Sequence, residues 1–317
     1  MNKPVCIILL NWNGLEDTLN CIYSIKTHCR TNIYDIIVAD NGSTDHSLYI
    51  LKEQFPEFIF IDNKTNIGFA AGNNKALKYS ITHGYSYSLL LNNDTIIEED
   101  IISPLLSYLE GKHAIAAVQP LIYFLNDRNK IWNGGSYFNK FLGLATTNLS
   151  RSIKKIEATN VDWVTGCCFL VRNEALIKSG LFNERFFLYH EDVDLSFRLR
   201  LEGFQLHFIP WVKLYHKAGA SGKKNSKKKE GPVAPIIHYF NTRNHIWILR
   251  RYINPIYFIF ALPYQIVYYC SVLFYFLVRR RLKKAHYLMK GIKDGVLTPR
   301  EQIWKTDNWE LTGISNK

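Results

Sequence analysis

The chain has 317 residues, of which 47% are hydrophobic and 14% aromatic, so it can bury a large core and is not an intrinsically disordered protein. Its net charge of +12 lies toward the C-terminus: residues 1–210 carry 19 Lys+Arg against 22 Asp+Glu, whereas residues 211–317 carry 20 against 5. The six cysteines show no C-x-x-C spacing, which excludes the common zinc and disulfide frameworks and is typical of a reducing cytosol.

Short β-rich runs alternate with helical patterns in the first half of the chain, and this alternation predicts an α/β fold with a parallel sheet covered by helices on both faces. The β-rich runs are residues 5–11, 34–40, 58–62 and 87–91. The helical patterns between them are residues 15–27, 47–54 and 70–83. The first apolar run lacks a small-residue cleavage site, so it indicates a core strand rather than a signal peptide.

Polar residues accumulate where three of these strands end. The segments are NWNG at 11–14, DNGSTD at 40–45 and NNDT at 92–95. Each one alone is typical of an ordinary turn. Because the carboxyl ends of parallel strands share one edge of the sheet, where ligands bind in such folds, the three together predict a binding site.

The second half of the chain is less regular. Its patterns predict strands at 114–119, 167–171 and 205–209 and helices at 173–179 and 192–201. Residues 219–231 are low in apolar content and hold five lysines in the seven positions 223–229, which predicts a mobile loop.

An uncharged apolar stretch of 23 residues, 256–278, lies between two basic clusters, Arg250-Arg251 and RRRLKK at 279–284. This combination favours contact with a membrane that carries anionic lipids. In a single span, one of the two basic clusters would lie outside the cytoplasm, contrary to the tendency of Lys and Arg to remain cytoplasmic. Pro263 and Gln265 also interrupt the apolar surface. We therefore expect in-plane or re-entrant helices rather than a single span, with a hairpin buried against the main domain as the alternative.

The residues at the predicted edge are suited to a nucleotide diphosphate. No G-x-G-x-x-G follows the first strand and no G-x-x-x-x-G-K-[ST] occurs, which argues against dinucleotide redox chemistry and P-loop phosphoryl transfer. Asp40 can accept hydrogen bonds from a base or ribose, and NIGFAAGNN at 66–74 places glycines and amides at a helix start, where a diphosphate can approach the backbone. Asp94 offers one hard oxygen to Mg²⁺ or Mn²⁺, which need only one or two protein carboxylates beside phosphate oxygens.

A cluster of acids, Glu191, Asp192 and Asp194, lies at the start of the predicted helix 192–201. Acids favour the first turn of a helix, so capping is one interpretation. A catalytic carboxylate among apolar neighbours is the other, because desolvation raises its basicity.

Eight motifs in order carry a resemblance to a known family. They are LNWNG, VADNGSTD, NIGFAAGNN, LLLNNDT, VDWVTGCCFLVRNEAL, FNERFFLYHEDVDLSFRLRLEGF, VKLYHKAGAS and HYFNTRNHIWILRRY, within residues 5–252. The chain resembles the bacterial family 2 glycosyltransferases, particularly the rhamnosyltransferase-like branch. The resemblance implies a GT-A (nucleotide-diphospho-sugar transferase) fold with a mostly parallel central sheet, and an inverting transfer from a nucleotide sugar.

The resemblance and the C-terminal composition together imply a domain division. Residues 1–245 would form the catalytic domain, with a nucleotide-sugar-binding half at 1–112 and an acceptor-side half at 113–245. Residues 246–317 would form a basic, apolar region of membrane-associated helices.

The matched motifs imply the roles of single residues. They imply that the nucleotide-sugar donor is bound by Asn11, Asp40, Asn66, Gly68, Asn73 and Asn92. The segment Asn92-Asn93-Asp94 stands in the place of the family's D-x-D motif, and because its first acid is replaced by Asn92, Asp94 is the one carboxylate it offers to Mg²⁺ or Mn²⁺. His216 would complete the metal and diphosphate site, or else be a histidine at a strand end without a ligand role.

Asp192 matches the catalytic base of the family, which takes the proton from the acceptor hydroxyl while that oxygen displaces the diphosphate. The resemblance implies that the acceptor site is lined by Trp163, Gly166, Glu191 and Arg243. Trp163 would offer an apolar face to a sugar ring or be a buried core tryptophan. Arg243 would pair with the phosphate of a lipid-linked acceptor or be a surface arginine near the membrane. Asp194 is expected to be a helix-cap or structural acid.

The resemblance and the C-terminal charge together predict an enzyme at the cytoplasmic face of the bacterial inner membrane. Its donor would be a nucleotide-diphosphate sugar such as TDP-rhamnose, and its acceptor a polyprenyl-diphosphate-linked glycan of a surface polysaccharide such as O-antigen or capsule; no nucleic-acid partner is expected. The alternative is a catalytically idle scaffold that binds a nucleotide sugar, which the loss of the first D-x-D acid favours. A nucleotidyltransferase should show a Gly-rich N-terminal loop with Arg and Lys. The N-terminal segment LNWNG has no such loop, which argues against this class of enzyme.

Overall fold

A computed structural model describes residues 3–30, 32–149, 157–218, 230 and 233–305. Of the lysine-rich segment 219–231, only Glu230 is among them. The loop predicted there therefore lies outside the described residues, as do positions 306–317 of the expected C-terminal region.

The described residues form the following strands and helices. The strands are β1 (Val5–Asn11), β2 (Tyr34–Asp40), β3 (Ile59–Asp62), β4 (Tyr87–Asn92), β5 (Thr95–Ile96), β6 (Ile115–Phe124), β7 (Asp127–Asn133), β8 (Ser136–Asn139), β9 (Leu144–Thr147), β10 (Thr159–Asn160), β11 (Cys168–Arg172) and β12 (Gln205–His216). The helices are α1 (Leu15–His28), α2 (Ser47–Gln54), α3 (Gly68–Thr82), α4 (Ile102–Leu109), α5 (Asn173–Ser179), α6 (Glu191–Leu201), α7 (Pro235–Tyr252), α8 (Pro255–Val278), α9 (Leu282–Leu297) and α10 (Arg300–Trp304).

Ten of the strands in the described residues form one central sheet in the order β10-β12-β6-β11-β4-β1-β2-β3, with β5 beside β12 and β7 beside β6. Strands β3, β2, β1 and β4 are parallel, as the alternating pattern predicts. β11 is antiparallel to both of its neighbours, β4 and β6. Every residue of β11 is buried, so its apolar run identifies a strand without indicating the direction of that strand.

The sheet has an apolar core on each face because side chains alternate along each strand. In β1, Val5, Ile7 and Leu9 pack into one cluster, while Cys6 and Ile8 pack into the other. Helices α1, α2 and α4 contribute to the first cluster, and α3, α5 and α6 to the second. The sheet therefore lies between two helical layers.

Two parts of the second half differ from the sequence prediction. The pattern predicts β12 only for 205–209, but the strand continues to His216 after a register shift against β6 between Ile209 and Lys213. Pro210 lies at this shift, and because proline cannot donate to a strand ladder, the recognisable strand pattern ends there. No pattern in residues 127–147 predicts a strand, yet this segment forms β7 and the separate hairpin β8–β9.

The C-terminal helices begin within the region expected to belong to the catalytic domain. Helix α7 runs without a break across position 245, so the boundary expected between 245 and 246 falls inside a helix. Helix α9 packs closely on α7: a Cβ at Gly291 would lie 2.8 Å from the Tyr239 carbonyl oxygen, and one at Gly295 would lie 2.9 Å from the Ile246 side chain.

Helix α8 is largely exposed. Among the described residues it is the one helix long and apolar enough to cross a membrane, by length and composition alone. Only 11% of its most apolar window is buried, which is contrary to the alternative of a hairpin buried against the main domain.

Candidate active site

The strand ends that were predicted to form a site meet at one edge of the sheet. Asn11 of β1 pairs with Asp40 of β2, and Asn92 ends the neighbouring strand β4. His216 ends β12, which pairs with β5 immediately after Asp94. His216 reaches this edge only because β12 continues beyond its register shift.

Asn11 and Asp40 form a buried hydrogen-bond network beneath this edge. The Asn11 amide Nδ2 donates to Asp40 Oδ1 and to Ser47 Oγ, each at 2.7 Å. Its Oδ1 accepts from Thr18 Oγ1 at 2.9 Å, and the Ser43 N–H donates to Asp40 Oδ2 at 2.9 Å. Asp40 is 2% exposed. Both of its oxygens are engaged by the chain and hold the loop 40–45 in shape.

The start of α3 is shaped by a close contact with the segment before α6. Gly68 has a φ of +88°, and a Cβ there would lie 2.6 Å from the ring and the carbonyl oxygen of Phe187. The Asn66 Oδ1 accepts the Gly68 N–H at 3.0 Å, and Asn73 Nδ2 donates to the Phe69 carbonyl at 2.9 Å. Packing and a left-handed backbone therefore account for the glycine at position 68.

Asp94 and His216 form the candidate metal pair. The Asp94 Oδ1 lies 3.0 Å from the His216 Nε2, and both side chains are almost buried. The Trp132 ring packs edge-on against the imidazole with a centroid distance of 4.5 Å. The His216 Nδ1 is buried and has no hydrogen-bond partner among the described residues.

This pair suits a divalent cation as a partial site. A carboxylate oxygen and an imidazole nitrogen are both ligands that Mn²⁺ accepts, while Mg²⁺ prefers oxygen. Within the described part of the chain, no third His, Cys, Asp or Glu completes a cluster. The remaining ligand positions would therefore fall to phosphate oxygens and water. Asn92 offers no carboxylate at the position of the first acid, and its carbonyl accepts the Thr95 hydroxyl at 2.7 Å.

Asp192 lies in the first turn of α6 and is held by two backbone donors. The Gly166 N–H donates to its Oδ2 at 2.9 Å, and the Val193 N–H donates to its Oδ1 at 2.8 Å. Burial raises the pKa of Asp192, and the two hydrogen bonds oppose this rise because they stabilise the carboxylate. Asp192 is therefore an oriented base, more basic than an ordinary aspartate.

The turn at residues 166–167 connects Asp192 to the end of β4, two residues before Asp94. The Asn92 N–H donates to the Cys167 carbonyl at 2.8 Å, while Gly166, one residue earlier, donates to Asp192. A Cβ at position 166 would lie 3.1 Å from the Phe69 ring. The glycine thus allows Asp192, the end of β4 and the start of α3 to approach one another.

Glu191 has a different environment from Asp192. It is 5% exposed, and its Oε2 has no hydrogen-bond partner among the described residues. Burial raises the pKa of Glu191 well above its ordinary value, and the charge of Asp192 raises it further. Two adjacent carboxyl groups in a desolvated site do not readily both ionise, and the N–H groups of Gly166 and Val193 stabilise the charged form of Asp192.

Asp194 is a structural acid. Arg198 Nε donates to its Oδ2 at 2.9 Å, and the Tyr252 hydroxyl donates to its Oδ1 at 2.6 Å. The Arg198 bond lies within α6, and the Tyr252 bond attaches α6 to α7. The three acids of the cluster therefore differ in environment although they are neighbours in sequence.

Two acceptor-side candidates are engaged within the protein. Trp163 is 8% exposed, its Nε1 donates to the Tyr137 carbonyl at 3.1 Å, and it lies in an apolar cluster with Phe186 and Trp247. The Arg243 guanidinium donates to the carbonyls of residues 185 and 186 at 2.9 and 3.1 Å and lies 4.2 Å from the Trp247 ring centroid. Trp163 therefore matches the core-tryptophan alternative, and Arg243 binds the backbone just before α6.

Two buried polar residues of α7 were not singled out from the sequence. Asn244 is fully buried, and His245 is 7% exposed. Asn244 lies beside the segment that precedes α6, because its Nδ2 donates to the Tyr189 carbonyl at 2.8 Å. The sequence feature that indicates them is their position directly before the apolar run IWIL. Polar side chains that are buried together with such a run need hydrogen-bond partners.

Comparison with known proteins identifies the family. The family model for Glycosyl transferase family 2 matches residues 6–180, more than half of the chain. The chain belongs to glycosyl transferase family 2. The resemblance carried by the motifs is thereby confirmed.

This glycosyltransferase is similar to two rhamnosyltransferases. It is 28% identical over 201 residues to the rhamnosyltransferase WbbL of Escherichia coli K12, a match that covers 58% of this chain and 73% of the relative. It is 26% identical over 209 residues to the N-acetylglucosaminyl-diphospho-decaprenol L-rhamnosyltransferase of Mycobacterium tuberculosis, covering 59% of this chain and 68% of the relative.

The fold is similar to that of the mannosyltransferase PcManGT from Pyrobaculum calidifontis, solved in complex with GDP-Man and Mn²⁺. The TM-score is 0.56 at 12% identity, and the match covers 97% of this chain and 89% of the other. The expected GT-A fold is confirmed.

Proposed function

We propose that this family 2 glycosyltransferase transfers rhamnose from TDP-rhamnose, with inversion, to a polyprenyl-diphosphate-linked glycan in the synthesis of a bacterial surface polysaccharide. The observation that carries the proposal is the hydrogen-bonded link from the oriented carboxylate of Asp192 through the turn 166–167 to the end of β4, two residues before Asp94 of the cation-suited pair Asp94–His216. The names of the two relatives support rhamnose as the sugar, and the second name supports a diphospho-polyprenol acceptor.

In the proposed reaction Asp192 takes the proton of the acceptor hydroxyl. The acceptor oxygen forms a bond to the anomeric carbon, and the bond from that carbon to the nucleotide diphosphate breaks on the opposite face. Gly166 and Val193 keep the carboxylate oriented through their N–H groups. Glu191 in its protonated form would add no second negative charge beside the base. A divalent cation held by Asp94 and His216 would neutralise charge on the departing diphosphate.

The donor would lie along the edge formed by the loops after β1 and β2 and the start of α3. Asn11 and Asp40 would shape the base and ribose site through loop 40–45, which they hold from beneath. Asn66, Gly68 and Asn73 would contribute through the N-terminal turns of α3, whose positive dipole end favours a diphosphate. Asn92 would line the site where β4 ends. This arrangement corresponds to a nucleotide-sugar-binding half at 1–112 and an acceptor-side half at 113–245.

Residues 246–317 would hold the enzyme on the cytoplasmic face of the inner membrane. Apolar side chains of α8 are well exposed, among them Ile259 at 70%, Val267 at 65% and Phe274 at 69%. The basic clusters at both ends of this helix complement anionic lipid headgroups. We propose that α8 lies in the plane of the membrane surface, which places the active site where a lipid-linked acceptor resides.

The test is calorimetric binding of TDP-, UDP- and GDP-sugars to the full-length protein in detergent, each with and without Mn²⁺ or Mg²⁺. We expect metal-dependent binding of TDP-rhamnose. Transfer to a synthetic polyprenyl-diphosphate glycan, with the anomeric configuration of the product read by NMR, then tests inversion. If a folded protein binds no donor under any metal condition, the proposal is overturned. If it binds a donor but transfers no sugar to any acceptor, the proposal is overturned in favour of the idle scaffold.

A further inference from the structure

The segment 186–190, which we call the pre-helix segment, leads directly into the carboxylates of α6. Phe187, Tyr189 and His190 in this segment have φ values of +62°, +69° and +65°. Residues other than glycine rarely adopt this region, so the surrounding structure must hold the segment in place. The groups that hold it also set the position of Asp192.

Helices α7 and α3 hold the pre-helix segment from two sides. The buried Asn244 amide Nδ2 on α7 donates to the carbonyls of Phe186 and Leu188 at 2.9 Å and of Tyr189 at 2.8 Å. From the donor side, the Phe69 N–H at the start of α3 donates to the Phe187 carbonyl at 2.6 Å. A shift of α7 would therefore move the base relative to the donor site.

The last residue of the segment, His190, stacks on His245 of α7. The ring centroids are 5.6 Å apart, and the planes are inclined by 25°. Burial lowers the pKa of His190 to about 3 and also lowers that of His245, so both rings are neutral and stack without charge repulsion. The stack joins the residue before Glu191 to a side chain outside the active site.

His245 in turn binds helix α8. Its Nε2 lies 2.6 Å from the Gly143 carbonyl oxygen, and its Nδ1 lies 2.8 Å from the Tyr269 hydroxyl. Because a carbonyl can only accept, Nε2 carries the hydrogen, and Nδ1 accepts a hydrogen bond from Tyr269. The pre-helix segment is thus connected through two histidines to the exposed apolar helix.

The inner side of α8 makes specific polar contacts, while much of its apolar surface is exposed. One turn before Tyr269, Gln265 Nε2 donates to the Leu142 carbonyl at 2.7 Å. Ile266 and Val267, between these two residues, are 54% and 65% exposed. Binding of the exposed surface of α8 to a membrane would therefore also affect the hydrogen bond between Tyr269 and His245.

We propose that His245 is a positioning residue for Asp192, and that its bond to Tyr269 makes turnover depend on the seating of α8 on an anionic bilayer. The inference rests on the proposed function, because it presupposes sugar transfer at a membrane surface. The partner is identified by its chemistry: an apolar layer with anionic headgroups complements an uncharged helix between basic clusters.

The test compares Tyr269→Phe with the matched control Tyr268→Phe in the full-length protein. Both variants remove one phenol hydroxyl from α8, but only the first removes the bond to His245. On vesicles of phosphatidylglycerol and phosphatidylcholine, we expect Tyr269→Phe to lower kcat about fivefold, as for one lost hydrogen bond, with the donor KM within about twofold. His245→Phe, which keeps an aromatic ring beside His190, should lower kcat at least as much.

Hydrogen exchange of backbone amides 186–194 supplies a readout that does not depend on transfer. We expect these amides to be better protected on anionic vesicles than in neutral detergent in the wild-type protein and in Tyr268→Phe, but not in Tyr269→Phe. Equal protection in the two variants would overturn the inference. If no sugar transfer occurs while this exchange pattern is found, the proposed function fails and the positioning role stands.

Discussion

Replacement of Gly68 by alanine tests whether this glycine is required by its contact with the pre-helix segment. The new Cβ would lie 2.6 Å from the Phe187 ring and carbonyl oxygen at a φ of +88°. The left-handed backbone costs about 1–2 kcal/mol for alanine, and the overpacking adds about 1–3 kcal/mol. The free energy of unfolding should therefore fall by about 2–5 kcal/mol.

Gly84→Ala is the matched control. Gly84 has a similar φ of +79°, but a Cβ there would have no neighbour within 4 Å, so only the backbone cost of about 1–2 kcal/mol applies. The assay is urea-induced unfolding in detergent, followed by tryptophan fluorescence, together with kcat for transfer. We expect Gly68→Ala to unfold at lower urea than Gly84→Ala and to lower kcat, because the pre-helix segment moves. Equal unfolding free energies for the two variants would refute the reasoning.

Three further predictions concern the metal pair, the buried acid and the arginine before α6. Asp94→Asn and His216→Ala should each weaken metal-dependent donor binding, by about 10- to 100-fold in calorimetry, with little change in metal-free binding; unchanged metal dependence would remove the pair from the site. Burial raises the folded-state pKa of Glu191 above its ordinary 4.5, so its contribution to stability is fully present below pH 4.5 and is lost as the pH rises toward the folded pKa. Glu191→Gln, which mimics the protonated acid, should therefore flatten the decrease of unfolding free energy above pH 4.5, and an unchanged pH slope would contradict the assignment. Arg243→Lys should lower the free energy of unfolding by about 1–3 kcal/mol, because lysine cannot bind both carbonyls and stack on Trp247, whereas loss of acceptor affinity at unchanged stability would instead favour a role in lipid-phosphate binding.

The sequence predicts the parallel half of the sheet well because both of its signals are local. Apolar runs such as 5–11 and 34–40 alternate with helical periodicity, and turn residues mark the strand ends. The same polar ends predict the edge that gathers Asn11, Asp40 and Asp94. The direction of β11 depends instead on its pairing with β4 and β6, which lie far from it in the chain. The hairpin β8–β9 is local, but its strands have four residues each and carry no continuous apolar run.

The sequence also predicts which residue types gather at the site. It predicts the contacts of each side chain less well. Asp192 and Asp194 are two positions apart in one helix turn, yet one is held by the Gly166 backbone and the other by Arg198 and Tyr252. The Asp194–Arg198 pair has the i, i+4 spacing of a helix, but the contacts with Gly166 and Tyr252 do not follow from spacing. The link from His190 to Tyr269 joins segments 79 positions apart in the chain, so only the folded structure reveals it.

The central claim, that Asp192 is the base of the transfer, is tested most directly by the rate of Asp192→Asn. An amide at this position cannot accept the acceptor proton, and it can offer only one oxygen to the two N–H donors of Gly166 and Val193. We predict that transfer to the lipid-linked acceptor falls about 10²- to 10⁴-fold, while calorimetric donor binding is retained. Asp100→Asn, which alters a carboxylate that binds the backbone at the start of α4, is the control and should transfer at the wild-type rate. Transfer by Asp192→Asn at the rate of the control would contradict the account.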